Sequence, residues 1–487
     1  MTDGNISCSW ADGLTRDFPK ERANRVARNS VTSMDVMAAA RDISKMRAYT
    51  DTYGIAIPKT GDITNQRQSG RCWMFSAFNA LRQETIKFLD VDSFEFSQAF
   101  GMFYDKLEKA NSTLEYIIQT ADLPVDSREV QELLRNGMGD GGFYPFAMSI
   151  VRKWGLVPKD AMPETACSRN SEQMDSQLER LVRKAARALR AQADQGATVE
   201  QLHKTKEEFV LQVHQILCVC LGEPPVTFDL ELKVGKDCKA DASRLSPIEP
   251  TPKKGAEKDG GDEKLAQILR DFGLTPREFA ERYVPVDPNG YVQLVSIPGS
   301  KMPYGKVYRI KRIDSVLGGI KVRCLNVAPE YLEDASVASL RDGNPLAMAC
   351  DVMQQFPRRI EDFKYVLSTD AVDVDGLFGI DLSMGRTDMI DLCETCLTHA
   401  MTFQGVELGQ DGRPRAWRVE NSWGKDAGKD GYLIMSNDWF RLYGGEVDVR
   451  RSYVPNDLLE IWDDESKDVE VEPWSGMGVA LGVGRRD

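Results

Sequence analysis

At 487 residues and 54.5 kDa, with 42% hydrophobic residues, the chain is long for one domain and can bury a sizeable core. A formal net charge of −13 predicts an acidic surface, which argues for solubility and against a dedicated nucleic-acid binder. The ten cysteines show no regular spacing, so they read as ordinary intracellular thiols rather than a disulfide framework. No secretory signal is visible at the N-terminus, and no run approaches the ~18 apolar residues needed to cross a bilayer. A soluble, cytoplasmic protein is expected.

In chain order, residues 1–60 are expected to form an N-terminal helical arm. It contains an amphipathic helix from about Thr32 to Tyr49 and an extended stretch, IAIPKTGDITNQ, from Ile55 to Gln66. Residues 61–158 read as mostly helical. Within them, TNQRQSGRCWMFSAFNALR (Thr64 to Arg82) has turn-forming residues up to Gly70 and then apolar residues at Met74, Ala77, Phe78 and Leu81, the spacing of one helix face. Cys72 is thereby set at a helix N-terminus, where the partial positive charge of the first turn favours a reactive thiolate over an inert thiol. Gln66, on the turn before it, can aim its amide above the sulfur. With the Cys72 N–H it would hold the oxyanion formed when a thiolate adds to a carbonyl.

Residues 159–325 are expected to be a mostly helical insertion. Ser171 to Gln195 is rich in strong helix formers, and Arg180, Arg183, Lys184, Arg187 and Arg190 make a basic face that reads as solvated rather than phosphate-binding. His203 and His214 fall in another helix-periodic segment and read as structural. Ser246 to Lys264 is Pro-, Gly- and charge-rich and predicts a mobile surface loop.

Residues 326–455 supply strands: Pro345 to Val352, Thr395 to Leu408, the run RAWRVEN and Gly431 to Asp438. His399 and Asn421 fall on neighbouring strands of an expected hairpin. The Asn421 oxygen can then accept an imidazole N–H and fix the tautomer, with Trp423 covering the bond. Cys393, Cys396 and His399 form a C-x2-C-x2-H pattern, but no second Cys/His pair sits at finger spacing, so neither metal nor cofactor is expected. Residues 456–487 form an acidic C-terminal arm.

The sequences SGRCW around Cys72, THAMTF around His399 and WRVENSWG around Asn421 resemble the bleomycin hydrolase/aminopeptidase C family of papain-like cysteine peptidases. That resemblance implies an α+β, papain-like two-lobed fold, with a helical lobe, a β-barrel-like lobe and a cleft between them. It implies a Cys72–His399–Asn421 thiol mechanism with Gln66 in the oxyanion hole. GDGGFYPFA, from Gly139, resembles the segment whose glycine pair, here Gly141 and Gly142, binds an extended substrate backbone. Secreted relatives carry a disulfide between positions that are Ser69 and Gly139 here, so both partners are missing together, as suits a reducing compartment. More than three hundred residues separate Cys72 from His399, against roughly 130–150 in simple papain-like enzymes.

The resemblance further implies that the arm lies in the cleft, with its terminal carboxylate receiving the substrate's α-amino group. It also implies peptide substrates with a free N-terminus and a homohexamer enclosing its active sites. Pro473, Trp474, Met477, Gly478, Ala480 and Leu481 match the arm, but the chain continues past Leu481 as GVGRRD. The alternatives are a papain-like endopeptidase, or a nucleic-acid-binding protein with residual peptidase activity.

Overall fold

The computed structural model describes residues 4–248 and 265–484. At its centre is the helix Cys72–Leu89, with Trp73, Met74, Phe75, Ala77, Phe78 and Leu81 all buried. Apolar residues on several sides of one helix place it in the middle of a core, where its polar residues Ser76, Asn79 and Arg82 are buried as well. It ends where Asp90 takes a left-handed φ of 51°. The helices Gln98–Gln119 and Tyr144–Trp154 pack around it, the first started by Ser97, whose hydroxyl accepts from the Phe100 N–H at 3.0 Å. Two long helices, Glu172–Asp194 and Val199–Leu221, extend this layer through Leu178, Val182, Val213 and Leu217.

The other layer is an 11-stranded sheet. From edge to edge its strands are Val469–Val471, Lys306–Ile310, Arg323–Asn326, Tyr291–Val295, Gly444–Arg450, Leu346–Cys350, His399–Leu408, Pro414–Glu420, Tyr432–Ser436 and Val366–Leu367. Ile55–Ala56 also pairs with His399–Leu408. Phe403, Trp417 and Phe440 fill its core, with the Phe403 and Trp417 rings stacked at 4.5 Å. The expected hairpin is present: His399–Leu408 and Pro414–Glu420 pair antiparallel, closed by the Gly409 N–H donating to the Arg413 carbonyl at 2.8 Å.

Polar contacts join the layers where apolar packing alone would not fix their register. Ser76, one turn beyond Cys72, donates to the Met401 carbonyl, and the Thr402 hydroxyl donates to the Ser76 carbonyl at 3.2 Å. Arg82, two turns further on, meets Glu420 at 2.6 Å, and the Gln404 amide donates to the other carboxylate oxygen. Both side chains are buried, and burial pushes the Glu420 carboxyl up against the pull of Arg82.

Three expectations need correction. The amphipathic helix expected over Thr32 to Tyr49 is absent: helices Cys8–Asp17 and Arg22–Val31 precede it, and only the short Val36–Ala40 helix and a 3₁₀ turn at Lys45–Ala48 occupy that stretch. The insertion over 159–325 is mostly helical only as far as Leu221, with one further α-helix at Pro276–Tyr283. After Leu221 come Phe228–Gly235, Leu245–Pro247 and Leu265–Leu274, which form a separate 3-stranded sheet, and then three strands of the large sheet. Tyr291–Val295 and Arg323–Asn326 are buried at nearly every position, which hides the two-residue period, while FDLELKVG over Phe228–Gly235 does alternate and carries a strand signal in the sequence. The loop expected over Ser246 to Lys264 lies outside the described residues from position 249 onward.

Replacing Arg82 by Met leaves the buried Glu420 carboxylate without its cation, and urea unfolding is expected to show a loss of about 3–5 kcal/mol. Adding Glu420→Gln should recover part of that loss; an unchanged single variant would show the bridge to be dispensable.

Candidate active site

Cys72 is the first residue of its helix, and its position is set by Arg71 before it. The buried Arg71 guanidinium donates to both oxygens of Glu164 at 3.0 and 2.9 Å, to the Ser69 hydroxyl at 2.8 Å and to the Ser168 carbonyl at 2.6 Å. The Arg71 carbonyl in turn accepts from the Met74 and Phe75 N–H groups. Trp73 plugs the first turn into the core, edge-on to Phe146 at 5.9 Å.

His399 begins its strand opposite Cys350, a thiol close enough to Cys72 to respond to its charge. Its Nε2 lies 2.9 Å from the Asn421 Oδ1, and its ring lies 4.7 Å from that of Trp423. With Nε2 as the donor to Asn421, Nδ1 is left as the ring's free acceptor. Burial, only partly offset by the Asn421 bond, lowers the His399 pKa to about 4. Cys72 and His399 line one cavity of about 1300 Å³ between the helices and the sheet.

Gln66 lines the same cavity, and Ser422 fixes its orientation. The Ser422 hydroxyl donates to Gln66 Oε1 at 2.6 Å, while Gln66 Nε2 donates one proton to the Ser69 carbonyl at 2.7 Å. A primary amide has two N–H donors, so one remains. The Gln66 main-chain N–H also donates to the Ser422 carbonyl at 2.8 Å. The adjacent Asn421 and Ser422 thus orient His399 and Gln66. Ser422 was not singled out from the sequence, although its place directly after Asn421 was the available signal.

Gly141 and Gly142 also border the cavity, with Gly141 exposed. A Cβ on Gly142 would lie 2.6 Å from the Trp73 ring, so only glycine permits that approach; nothing lies within 4 Å of a Cβ on Gly141. The glycine segment is tied to the Cys72 loop without a disulfide. Asp140, beside Gly139, accepts from the Gly70 N–H, beside Ser69, at 2.8 Å, and its carbonyl accepts from the Trp73 indole at 2.8 Å. Beneath them Lys106 meets Asp140 at 2.7 Å and Asp175 at 2.8 Å, while Lys109 donates to the Gly139 and Gly141 carbonyls. This buried cation keeps Asp140 well below the usual carboxylate range. Burial first, then the neighbouring Asp140 charge, pushes Asp175 up to about 7 against the pull of Lys106. Neither lysine stood out in the sequence, because nothing in KLEK separates a buried ammonium from a solvated one.

The remaining histidines lie elsewhere: His203 pairs with Glu115 at 3.1 Å, and His214 sits 3.6 Å from Cys218 on the same helix. Cys393, the first residue of the C-x2-C-x2-H pattern, is exposed with a left-handed φ of 60°.

Because burial disfavours the imidazolium, His399 in a Cys72→Ala protein is expected to stay neutral from pH 7 downward and gain its proton only near pH 4, below the ~6.5 of a free histidine. Ring-proton NMR would read this directly, and a midpoint above 6 would contradict the burial argument. Asn421→Ala removes the bond that favours the charged ring, so its midpoint should fall further.

The family model described as the Peptidase C1-like family matches residues 5–252 and 261–478. Aminopeptidase G of Lactobacillus delbrueckii subsp. lactis is 34% identical over 95% of this chain and 97% of its own length. Aminopeptidase C of Lactococcus lactis subsp. lactis is 32% identical over 97% of this chain and 99% of its own. The crystal structure of PepW from Lactobacillus rhamnosis superposes with a TM-score of 0.88 at 30% identity, covering 99% of both chains. The chain therefore belongs to the Peptidase C1-like family.

Proposed function

We propose that the protein is a cysteine-type aminopeptidase with a papain-like two-lobed fold, its active site being the cavity between the helices and the sheet. The observation that carries this reading is the convergence on that cavity of a helix-starting Cys72 and a buried His399 whose Nε2 is committed to Asn421. Cys72 transfers its proton to the free Nδ1, and the thiolate adds to the scissile carbonyl. The developing oxyanion is met by the Cys72 N–H and the second N–H of Gln66. His399 then gives its proton to the leaving amine, which departs as the thioester forms. It next takes a proton from the water that cleaves the thioester, releasing the acid and restoring the thiol. The low intrinsic pKa of His399 makes the imidazolium a strong acid towards the departing amine. The thiolate beside it supplies the charge that burial alone denies it.

The arm supports an exopeptidase. Its helix Gly476–Ala480 is held by the Leu397 N–H donating to the Ala480 carbonyl at 2.8 Å, and Leu481, Gly482, Val483 and Gly484 border the same cavity as Cys72. Gly482 has a φ of +77°, and a Cβ there would lie 2.2 Å from the Leu397 carbonyl, so the chain turns at a position only glycine fits. A segment placed there shortens the cleft and selects substrates by their free N-terminus. In the family that this chain resembles the terminal carboxylate receives the α-ammonium, and here GVGRRD follows Leu481, where the likeness to that family's arm ends. We infer that the enzyme trims its own tail near Leu481 or Gly482. A cytoplasmic homohexamer, with peptides as substrates and Gly141 and Gly142 binding their backbones, completes this reading.

Aminoacyl-coumarins should be hydrolysed and N-acetylated ones refused. Cys72→Ala should abolish activity, and Gln66→Ala should lower kcat on the order of 10²–10³-fold. Cleavage of N-acetylated peptides in mid-chain would replace the aminopeptidase with an endopeptidase. Intact mass spectrometry should find active wild type shortened and Cys72→Ala retaining Asp487; active protein of full length would exclude trimming. Light scattering on the same sample would test the hexamer.

A further inference from the structure

Many buried carboxylates in this protein face a cation. Glu420 meets Arg82, Glu333 meets Arg441, Asp140 meets Lys106 and Asp271 meets Arg282. Glu446 and Asp448 differ: they are 5% and 3% exposed, and among the described residues neither forms an ion pair. They alternate along the strand Gly444–Arg450, opposite Ala349 and Ala347, so both point to one face of the sheet. All four residues border the cavity that holds Cys72 and His399. The two alanines leave open the space above the acids that longer side chains would fill.

The acids are only partly satisfied. Glu446 accepts from the Gln293 amide at 2.8 Å, and the two carboxyls hydrogen-bond to each other. Asp448 Oδ1 has no hydrogen-bond partner. Ser315, also buried and bordering the cavity, has a hydroxyl without a partner as well. Three of the cations that border this cavity are engaged elsewhere: Lys311 with Glu472 at 2.6 Å, Lys109 with Asp105 at 2.8 Å, and Arg312 with Glu129. Two buried carboxyls in contact cannot both ionise without a counter-charge, and burial accordingly pushes Glu446 up to about 7 and Asp448 well above its usual range. An ammonium or guanidinium entering the cavity would bring the missing charge together with three or five N–H donors.

We propose that Glu446 and Asp448, with Ser315, form a subsite for the cationic side chain of a lysine or arginine residue in the peptide substrate. The substrate class rests on the aminopeptidase reading above; the cation site itself rests on the unmatched acids. The incoming cation replaces the proton that holds the two carboxyls together. Its donors reach Asp448 Oδ1 and the Ser315 hydroxyl, and a neutral side chain of equal length would leave both unpaired.

The test compares lysyl- with norleucyl-coumarin, which share the α-amine and the chain length and differ in the side-chain ammonium. The same pair is also placed second in dipeptidyl-coumarins, to locate the subsite along the substrate. Wild type is expected to favour lysine in one of the two series. The near-isosteric Glu446→Gln/Asp448→Asn variant should reduce the lysine-to-norleucine ratio of kcat/KM at least about tenfold in that series. An unchanged ratio in both series, including an equal fall for both substrates, would overturn the proposal, because the acids would then serve the α-amine or the fold alone. Thermal unfolding with lysinamide or norleucinamide gives a readout independent of turnover. Lysinamide should raise the wild-type Tm more than norleucinamide does, and the variant should lose that difference; equal shifts in wild type would overturn the site. If no aminoacyl substrate is hydrolysed but lysinamide still stabilises selectively, the aminopeptidase reading fails and the cation site stands.

Discussion

The structure depends on a buried polar seam between one helix and one sheet. Arg82 and Glu420 meet at 2.6 Å where neither is exposed to water. Arg82 rides on the helix that Cys72 begins, and Glu420 immediately precedes Asn421. Apolar packing is non-directional and would tolerate a helix sliding along the sheet. A buried ion pair does not, because a small displacement leaves two desolvated charges unmatched. Together with the Ser76–Met401 and Thr402–Ser76 bonds, the pair fixes the register in which Cys72 and His399 border one cavity.

A second seam holds the other wall. Where secreted papain relatives would have a covalent link, Asp140 bridges the Cys72 loop and the glycine segment, with Lys106 beneath it. Such a link survives in a reducing environment, and the compensation is local: Asp140 keeps its charge because a buried ammonium lies beside it. The Asn421–Ser422 dipeptide works similarly on the opposite wall, one residue orienting the imidazole and the next the amide of Gln66. Each orienting group is an immediate chain neighbour of another constrained residue, so little conformational freedom remains to be lost when a substrate enters.

The local stretches were legible to different degrees. The Cys72 helix, the His399 hairpin and the Asn421 contact could be read because each carries its own signal: an apolar period after a turn, alternation around a Gly/Pro turn, and a polar residue on the neighbouring strand. Most of the stretch from Phe228 to about Lys321 was read as helix: Tyr291–Val295 is buried at nearly every position, which removes the alternation that marks a strand, whereas Phe228–Gly235 does alternate and its strand signal was passed over. Likewise the Thr32 to Tyr49 stretch has helical periodicity, but its backbone breaks at Arg41, which bridges to Val372 in the partner segment. Tertiary pairing outweighed propensity there.

The sequence by itself determined which residue types could do chemistry: one cysteine at a helix start, one histidine on a strand, and an amide within reach of each. These choices are local, set by side-chain chemistry and by spacing within single elements. Only the tertiary structure decided what surrounds them, because burial and charge pairing arise between elements far apart in the chain. Lys106 under Asp140, Ser422 on Gln66, and Glu446 with Asp448, which border the cavity and form no ion pair among the described residues, look like ordinary charged or polar residues until the fold removes the water around them.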